Sequence, residues 1–340
     1  NQRLQRWYWQ AAYAPDQLRQ RMAFALSQIF VISDQDSAIR QYVVPISAYQ
    51  DMLARNAFAP YRNLLGDVTL HPMMGRYLSS FRNQKAGATT SPDENYAREV
   101  MQLFSVGLVQ RNLDFSPILS GGVPIPTYDQ STIAQTAKVF TGFTWSDAPT
   151  SPSPNFYGGG QTFAAQLAPM ACWGTELFPA TGSGSNNMRH DISAKTVLAG
   201  LVLPAGQTCA QDVGDELDII AAHANVAPFI SRQLIQRFVT SNPSPAYIER
   251  VAEVFNTSYG DLGEVVKAIL LDNEARVPPP LAGGDSYGKL REPVLRLTAM
   301  WRAFDAQPPA PDAYGEVKMT AGSSLIGAPA QGPLQAPSVF

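Results

Sequence analysis

Residues 91–108, SPDENYAREVMQLFSVGL, set the first constraint on the fold. Tyr96, Ala97, Val100, Met101, Leu103, Phe104 and Leu108 recur at three and four, the spacing that gathers apolar residues on one face of an α-helix. The start is marked as well. Ser91 is placed to N-cap, Pro92 suits the first helical position, and Glu94 stands three residues after the cap. Gly107 is expected to end the helix. Four polar residues, Glu94, Asn95, Arg98 and Glu99, interrupt the apolar pattern. Glu94 and Arg98 are four apart, as are Asn95 and Glu99, so each pair shares a face. Charges in so apolar a helix must be paired or put to use.

The same period dominates the rest of the chain. Residues 3–13 are aromatic-rich and helical in pattern. A second helix opens at Pro15, with Leu18, Met22, Ala25, Leu26, Ile29 and Phe30 inward. Residues 36–57 read as a third, broken or kinked at Pro45. Residues 58–82 hold one or two more. Residues 111–129, with Pro117, Gly121, Gly122, Pro124 and Pro126, read as a loop or short hairpin. Residues 127–142 return to helix. Residues 146–188 carry SPSP, YGGG and TGSGSNN and form the least regular stretch, a long loop of the kind that is usually functional or disordered. Phe156, Tyr157, Trp173 and Phe178 argue for an ordered excursion with short strands. Helix is expected again from residue 192, with a loop at 203–211, then at 213–224, 226–240, 244–256, 261–273 and 290–304. Beyond Asp305, Pro and Gly dominate. Long two-residue alternation is absent. The expectation is a mainly α fold: one multi-helix domain over residues 1–340, with 146–188 as an irregular insertion.

Composition narrows the function classes. Of 340 residues, 45% are hydrophobic and 16% charged, with a net charge of -3. That supports a sizeable core and argues against a nucleic-acid partner, since no basic run appears. No apolar run of 18 residues appears, so no membrane span is expected. The opening, NQRLQRWYWQ, has neither Met nor the apolar core of a signal peptide. The chain reads as a piece of a longer one.

DENYAREVMQLFSVGL resembles the Asn-Glu-Asn-Tyr-Ala-Arg-Glu signature of the bacterial domain-of-unknown-function 1800 family. Asp93 stands where that pattern usually has Asn, and Phe104 where it often has His. Further matching pieces follow in order: HPMMGRYLSS (71–80), AQTAKVFTGFTW (134–145), MRHDISAKTVLAG (188–200), AAHANVAPFISRQLIQRFV (221–239) and LREPVLRLTAMWRAF (290–304). The resemblance covers most of the chain. It implies an exported, periplasmic or secreted bacterial protein and carries no activity. It also implies a partner, an exported sulfatase-like protein of the domain-of-unknown-function 1501 family, often encoded alongside. For Cys172 and Cys209 two readings stay open: a disulfide, favoured by export, or two unrelated buried thiols.

Two constellations are candidates for chemistry. In the first, Glu99 would act as acid or base, with Glu94, Asn95 and Arg98 as binding residues; the bland alternative is capping plus internal pairing. In the second, MRHDISAKTVLAG, His190 and Asp191 emerge from a Gly/Ser/Asn loop and Lys195 follows one helical turn on. There the bland alternative is Asp191 as an N-cap and Lys195 as a surface residue. The candidate catalytic residues are therefore His190, Glu99 and Asp191; the candidate binding residues are Glu94, Asn95, Arg98 and Lys195. Both sets are expected to meet in space. His223 reads as a residue at a helix C-terminus, and His71 as a loop or cap residue. A metal site from His190, His223 and Glu99 has no supporting ligand spacing. G-x-S-x-G, Walker and C-x-x-C motifs are absent, so no cofactor is indicated. Two functions remain. One is a hydrolase of extracellular polymer, with loop aromatics stacking on sugars. The other is a non-catalytic binding or assembly protein whose polar residues form a structural network.

Overall fold

The computed structural model describes residues 2–149, 155–173, 189–277, 287–308, 310 and 333–336. The fold is mainly α, with fourteen helices and three two-stranded antiparallel ladders among the described residues. The helices are α1 (Gln2–Tyr13), α2 (Gln17–Ser27), α3 (Val43–Arg55), α4 (Tyr61–Leu70), α5 (Pro72–Tyr77), α6 (Asn95–Gln102), α7 (Gln130–Val139), α8 (Phe163–Leu167), α9 (Cys209–Ala222), α10 (Val226–Phe238), α11 (Pro245–Thr257), α12 (Leu262–Leu271), α13 (Asn273–Arg276) and α14 (Pro293–Ala303). None is long and apolar enough to cross a membrane.

Short side chains set several helix starts. Asp129, Thr162, Ser244 and Asp261 each accept a backbone N–H in the first turn of the helix that follows. Thr208 and Gln211 form a reciprocal capping box at α9. His71 caps α5 through Nδ1, with Pro72 at the first helical position.

Three expectations at element ends are corrected. First, α6 starts at Asn95, not at Ser91. Ser91 is exposed and outside the helix, and the side chain that serves the start is Asp93, whose Oδ1 accepts the Asn95 N–H at 2.8 Å. Glu94 closes no capping box. Regular helix ends at Gln102, and irregular turns run on to Gly107, whose φ is +72°. Second, Pro45 does not break α3: it sits in the first turn, where a missing N–H costs no helical bond. Third, residues 192–203 are not helix. Strands β5 (Lys195–Thr196) and β6 (Val202–Leu203) pair around a 3-10 turn, with Ala199 and Gly200 at positive φ.

The expected hairpin after α6 is present as β1 (Leu119–Ser120) and β2 (Val123–Pro124). Gly121 and Gly122 both take positive φ, as a two-residue hairpin turn demands. Within the excursion at 146–188, residues 150–154 and 174–188, Phe178 among them, lie outside the described residues. The remainder is ordered. β4 (Ala171–Cys172) pairs with β3 (Phe143–Thr144), and Phe156 and Trp173 bury against Ala148.

One core cluster takes buried side chains from α2 to α7 and from α9 to α12, and also Leu334. Phe104, at the position where the family often has His, lies wholly inside it and packs on Phe30. A smaller cluster joins α1 to α14 through Trp7, Tyr8, Phe24 and Val294. Within the large cluster α7 touches α6, α9 and β5, so one helix connects both candidate regions.

Candidate functional site

His190 lies just before β5, and its segment is held by the loop after α5, where the Lys85 N–H donates to the Arg189 carbonyl at 2.8 Å. The His190 Nδ1–H points at the Thr141 carbonyl, 2.9 Å away, which fixes a proton on that nitrogen. Nε2 lies 2.8 Å from Asp212 Oδ2. Lys195 Nζ donates to the same oxygen at 2.6 Å and to the Ser193 carbonyl at 2.9 Å. His190 is 1% exposed, Lys195 and Asp212 0%. Lys195 is thus neither a surface residue nor one helical turn beyond a cap. Asp191 caps no helix either; its Oδ1 closes a turn onto the Ser193 N–H at 2.9 Å. Hydrogen bonds from Ser193 and the charges of Lys138 and Lys195 hold its carboxyl below the usual range despite the opposing effect of burial.

Asp212 sits in the first turn of α9, and Glu216 follows one turn later. Glu216 is fully buried, and burial above all pushes its carboxyl up to about 8. The Thr136 hydrogen bond opposes that rise, and the negative Asp212 adds to it. Asp212 Oδ1 and Glu216 Oε2 have no partner.

Gly142 makes the approach of the two chains feasible. Its φ is +86°, and a Cβ there would lie 2.9 Å from both the backbone nitrogen and the Cβ of His190. A disulfide joins Cys172 on β4 to Cys209, the first residue of α9, with a Cα–Cα distance of 5.8 Å, inside the bonded range. Thr141, Gly142, β3, β4, the disulfide, Asp212 and His190 therefore form a closed circuit.

The signature helix is organised differently. Arg98 Nη2 meets Glu94 Oε2 at 3.1 Å, and Gln130 Nε2 donates to that oxygen at 2.7 Å. Asn95 is exposed. Glu99 is 2% exposed, and its Oε2 lacks a partner. Burial raises its carboxyl, with Arg98 pulling the other way. The Tyr128 hydroxyl, also buried and unpartnered, is pushed up to about 12 by burial and then by Glu99.

Among the described residues no hydrogen bond or ion pair joins Glu94, Asn95, Arg98 or Glu99 to His190, Asp191 or Lys195. The two groups are linked through α7. Gln130 at its first turn serves the signature helix, and Thr141 just past its end serves His190. Ten helical residues separate those ends by about 15 Å. His223 caps the end of α9 and accepts the Asn225 N–H at 3.1 Å; burial lowers its pKa. Among the described residues no three His, Cys, Asp or Glu side chains gather to hold a metal ion.

Sequence reasoning passed over Asp212, Glu216, Thr141, Gly142 and Tyr128. A signal existed for two of them. Asp212 and Glu216 are four apart and lie along the apolar stripe Cys209–Val213–Leu217–Ile220, the same anomaly that singled out Arg98 and Glu99.

The family model described as "Protein of unknown function (DUF1800)" matches residues 1–340, the whole chain. No curated protein matches the chain, and no solved structure matches it.

Proposed function

We propose a non-catalytic role for this chain, which belongs to the DUF1800 family: a binding or assembly protein whose buried polar network around His190 holds its packed segments in register. The observation that carries this reading is the seal around His190. A ring at 1% exposure, with both nitrogens engaged and its partner Asp212 shared with a fully buried lysine, has no face to offer a substrate. Such a network specifies packing. The Cys172–Cys209 bond supports an exported, periplasmic or secreted setting, because disulfides persist in oxidising compartments. The exported sulfatase-like partner rests on the family resemblance alone.

The test is a neutral replacement, Lys195→Met with Asp212→Asn, in which the amide still faces His190. Melting temperature and co-elution with the sulfatase-like protein are then measured. A folded double variant that co-elutes like the parent supports the reading. A folded variant that no longer does, or a parent chain that never does, overturns it.

A second reading, hydrolysis of extracellular polymer, has one observation of its own. Glu99 carries a carboxyl raised by burial, with an unpartnered oxygen beside an unpartnered Tyr128 hydroxyl, which suits a general acid. Release of reducing ends from soluble polysaccharides, abolished by Glu99→Gln in a folded variant, would establish it; no release by the parent protein rules it out.

A further inference from the structure

A partly open groove of about 400 Å³ lies where α1, α2, α10 and α14 converge, within the size range of small-molecule sites. Trp7, Phe24 and Phe238 supply aromatic walls, and Arg21, Arg291 and Arg302 line it with guanidinium groups. No carboxylate lines it among the described residues.

Behind the groove the charges do not balance. Glu292 Oε1 accepts from Lys289 and from Gln28, each at 3.2 Å. The same carboxylate is the acid that acts on Arg21 and Arg237. Three cations therefore share one anion, with Arg291 adding a fourth positive charge close to Arg21. Burial pushes both Arg21 and Arg237 down to about 10; Glu292 pulls them back, and positive neighbours push further. Arg21 donates through Nη2 to the Arg237 carbonyl, but its Nη1 is buried with no acceptor. Its guanidinium lies 5.0 Å from the Phe238 ring centre and 5.7 Å from that of Phe24. A desolvated guanidinium N–H left without an acceptor is costly. An oxyanion beside Arg21 would answer both the free donor and the surplus charge, while the aromatic walls would hold an apolar body.

We infer that this groove binds a small organic anion with an oxyanion head and a ring-sized apolar body. The site is separate from both polar groups described above and holds whether or not they are structural.

Calorimetric titration with naphthalene-2-sulfonate tests it, with 2-naphthol as the neutral analogue and inorganic sulfate as the head alone. One-to-one binding of the sulfonate is expected, with both comparators at least about tenfold weaker, the scale of one hydrogen bond to a charged group. Arg21→Gln should weaken binding by a similar factor. Because Arg21 also bonds α10, the double variant Arg291→Gln/Arg302→Gln, at exposed positions, gives a second measure; Arg302 also donates to the Ala11 carbonyl and to Gln17, so the double variant is read alongside its melting temperature, which should match the parent's. Arg62→Gln, on the α4 surface beside Asp218, should leave binding unchanged. Absence of binding, equal affinity for 2-naphthol, an unaffected double variant, or equal loss in Arg62→Gln each overturns the inference.

Discussion

The His190 network and the Glu94–Arg98 pair are built from the same kinds of residue and obey opposite energetics. In the first, the side chains of Lys195 and Asp212 are 0% exposed; in the second, those of Arg98 and Glu94 are 38% and 34% exposed. Water around the second pair screens the attraction and solvates whichever partner is left behind. The first is sealed from bulk solvent, and each charge depends on the other. An acid–base motif therefore says little until its burial is known, and these two regions can be driven apart experimentally on that basis.

The largest effect should come from Asp212→Leu. It leaves Lys195 buried and uncompensated, which costs about 3–5 kcal/mol; chemical denaturation should show it. A loss under 1 kcal/mol would mean that water reaches the network and would erase the contrast.

Next in size is a pH effect at Glu216, whose folded pKa of about 8 lies above its ordinary 4.5. The folded state holds a proton that the unfolded state releases. The stability this gives is full below about pH 4.5 and is lost as pH rises towards 8, a change on the order of a few kcal/mol. Glu216→Gln should flatten that decline, so the variant should outlast the parent at pH 9. An unchanged pH profile would show that Glu216 is ionised in the fold.

Smallest are the changes at the open region. Arg98→Ala should cost no more than about 0.5 kcal/mol, less at high salt. Ser91→Ala should fall within about 0.5 kcal/mol of neutral, since its hydroxyl caps nothing. A loss above 1 kcal/mol at either position would make the signature helix start as structurally committed as the His190 network.

Much of the fold was legible in the sequence because most helices here carry their buried face as a local apolar period, whatever they pack against. Met22 to Phe30, Ile133 to Val139 and Phe229 to Phe238 announce buried faces at helical spacing, and the Gly121–Gly122 turn announces its hairpin. The segment at 192–203 did not. Its short apolar run fits strand and helix alike, and the choice was made by pairing across Lys195–Leu203, a tertiary contact. At Ser91 the capping pattern was genuine but competed with Asp93, whose carboxylate reached the helix first. The site was half legible. His190 and Lys195 stood out by type, whereas Asp212 fell just before the helix expected at 213–224, which in the structure starts earlier, at Cys209. Nothing in the sequence says that a residue 22 positions away will turn its carboxylate towards His190.

Gly142 has a bearing on how this family will be compared. It contributes no charge, proton or hydrogen-bonding side chain, yet a single methyl there would collide with the backbone of His190. The atoms in the way are the N, Cα and Cβ of position 190, which every residue but glycine carries. Selection acting only on foldability would therefore hold Gly142 whatever side chain stood opposite it. In a column-by-column comparison of family members an unchanging glycine beside a histidine would invite the word catalysis, yet at position 142 invariance would measure clearance between two chain segments. Family members that keep the glycine while replacing the histidine would reveal that directly.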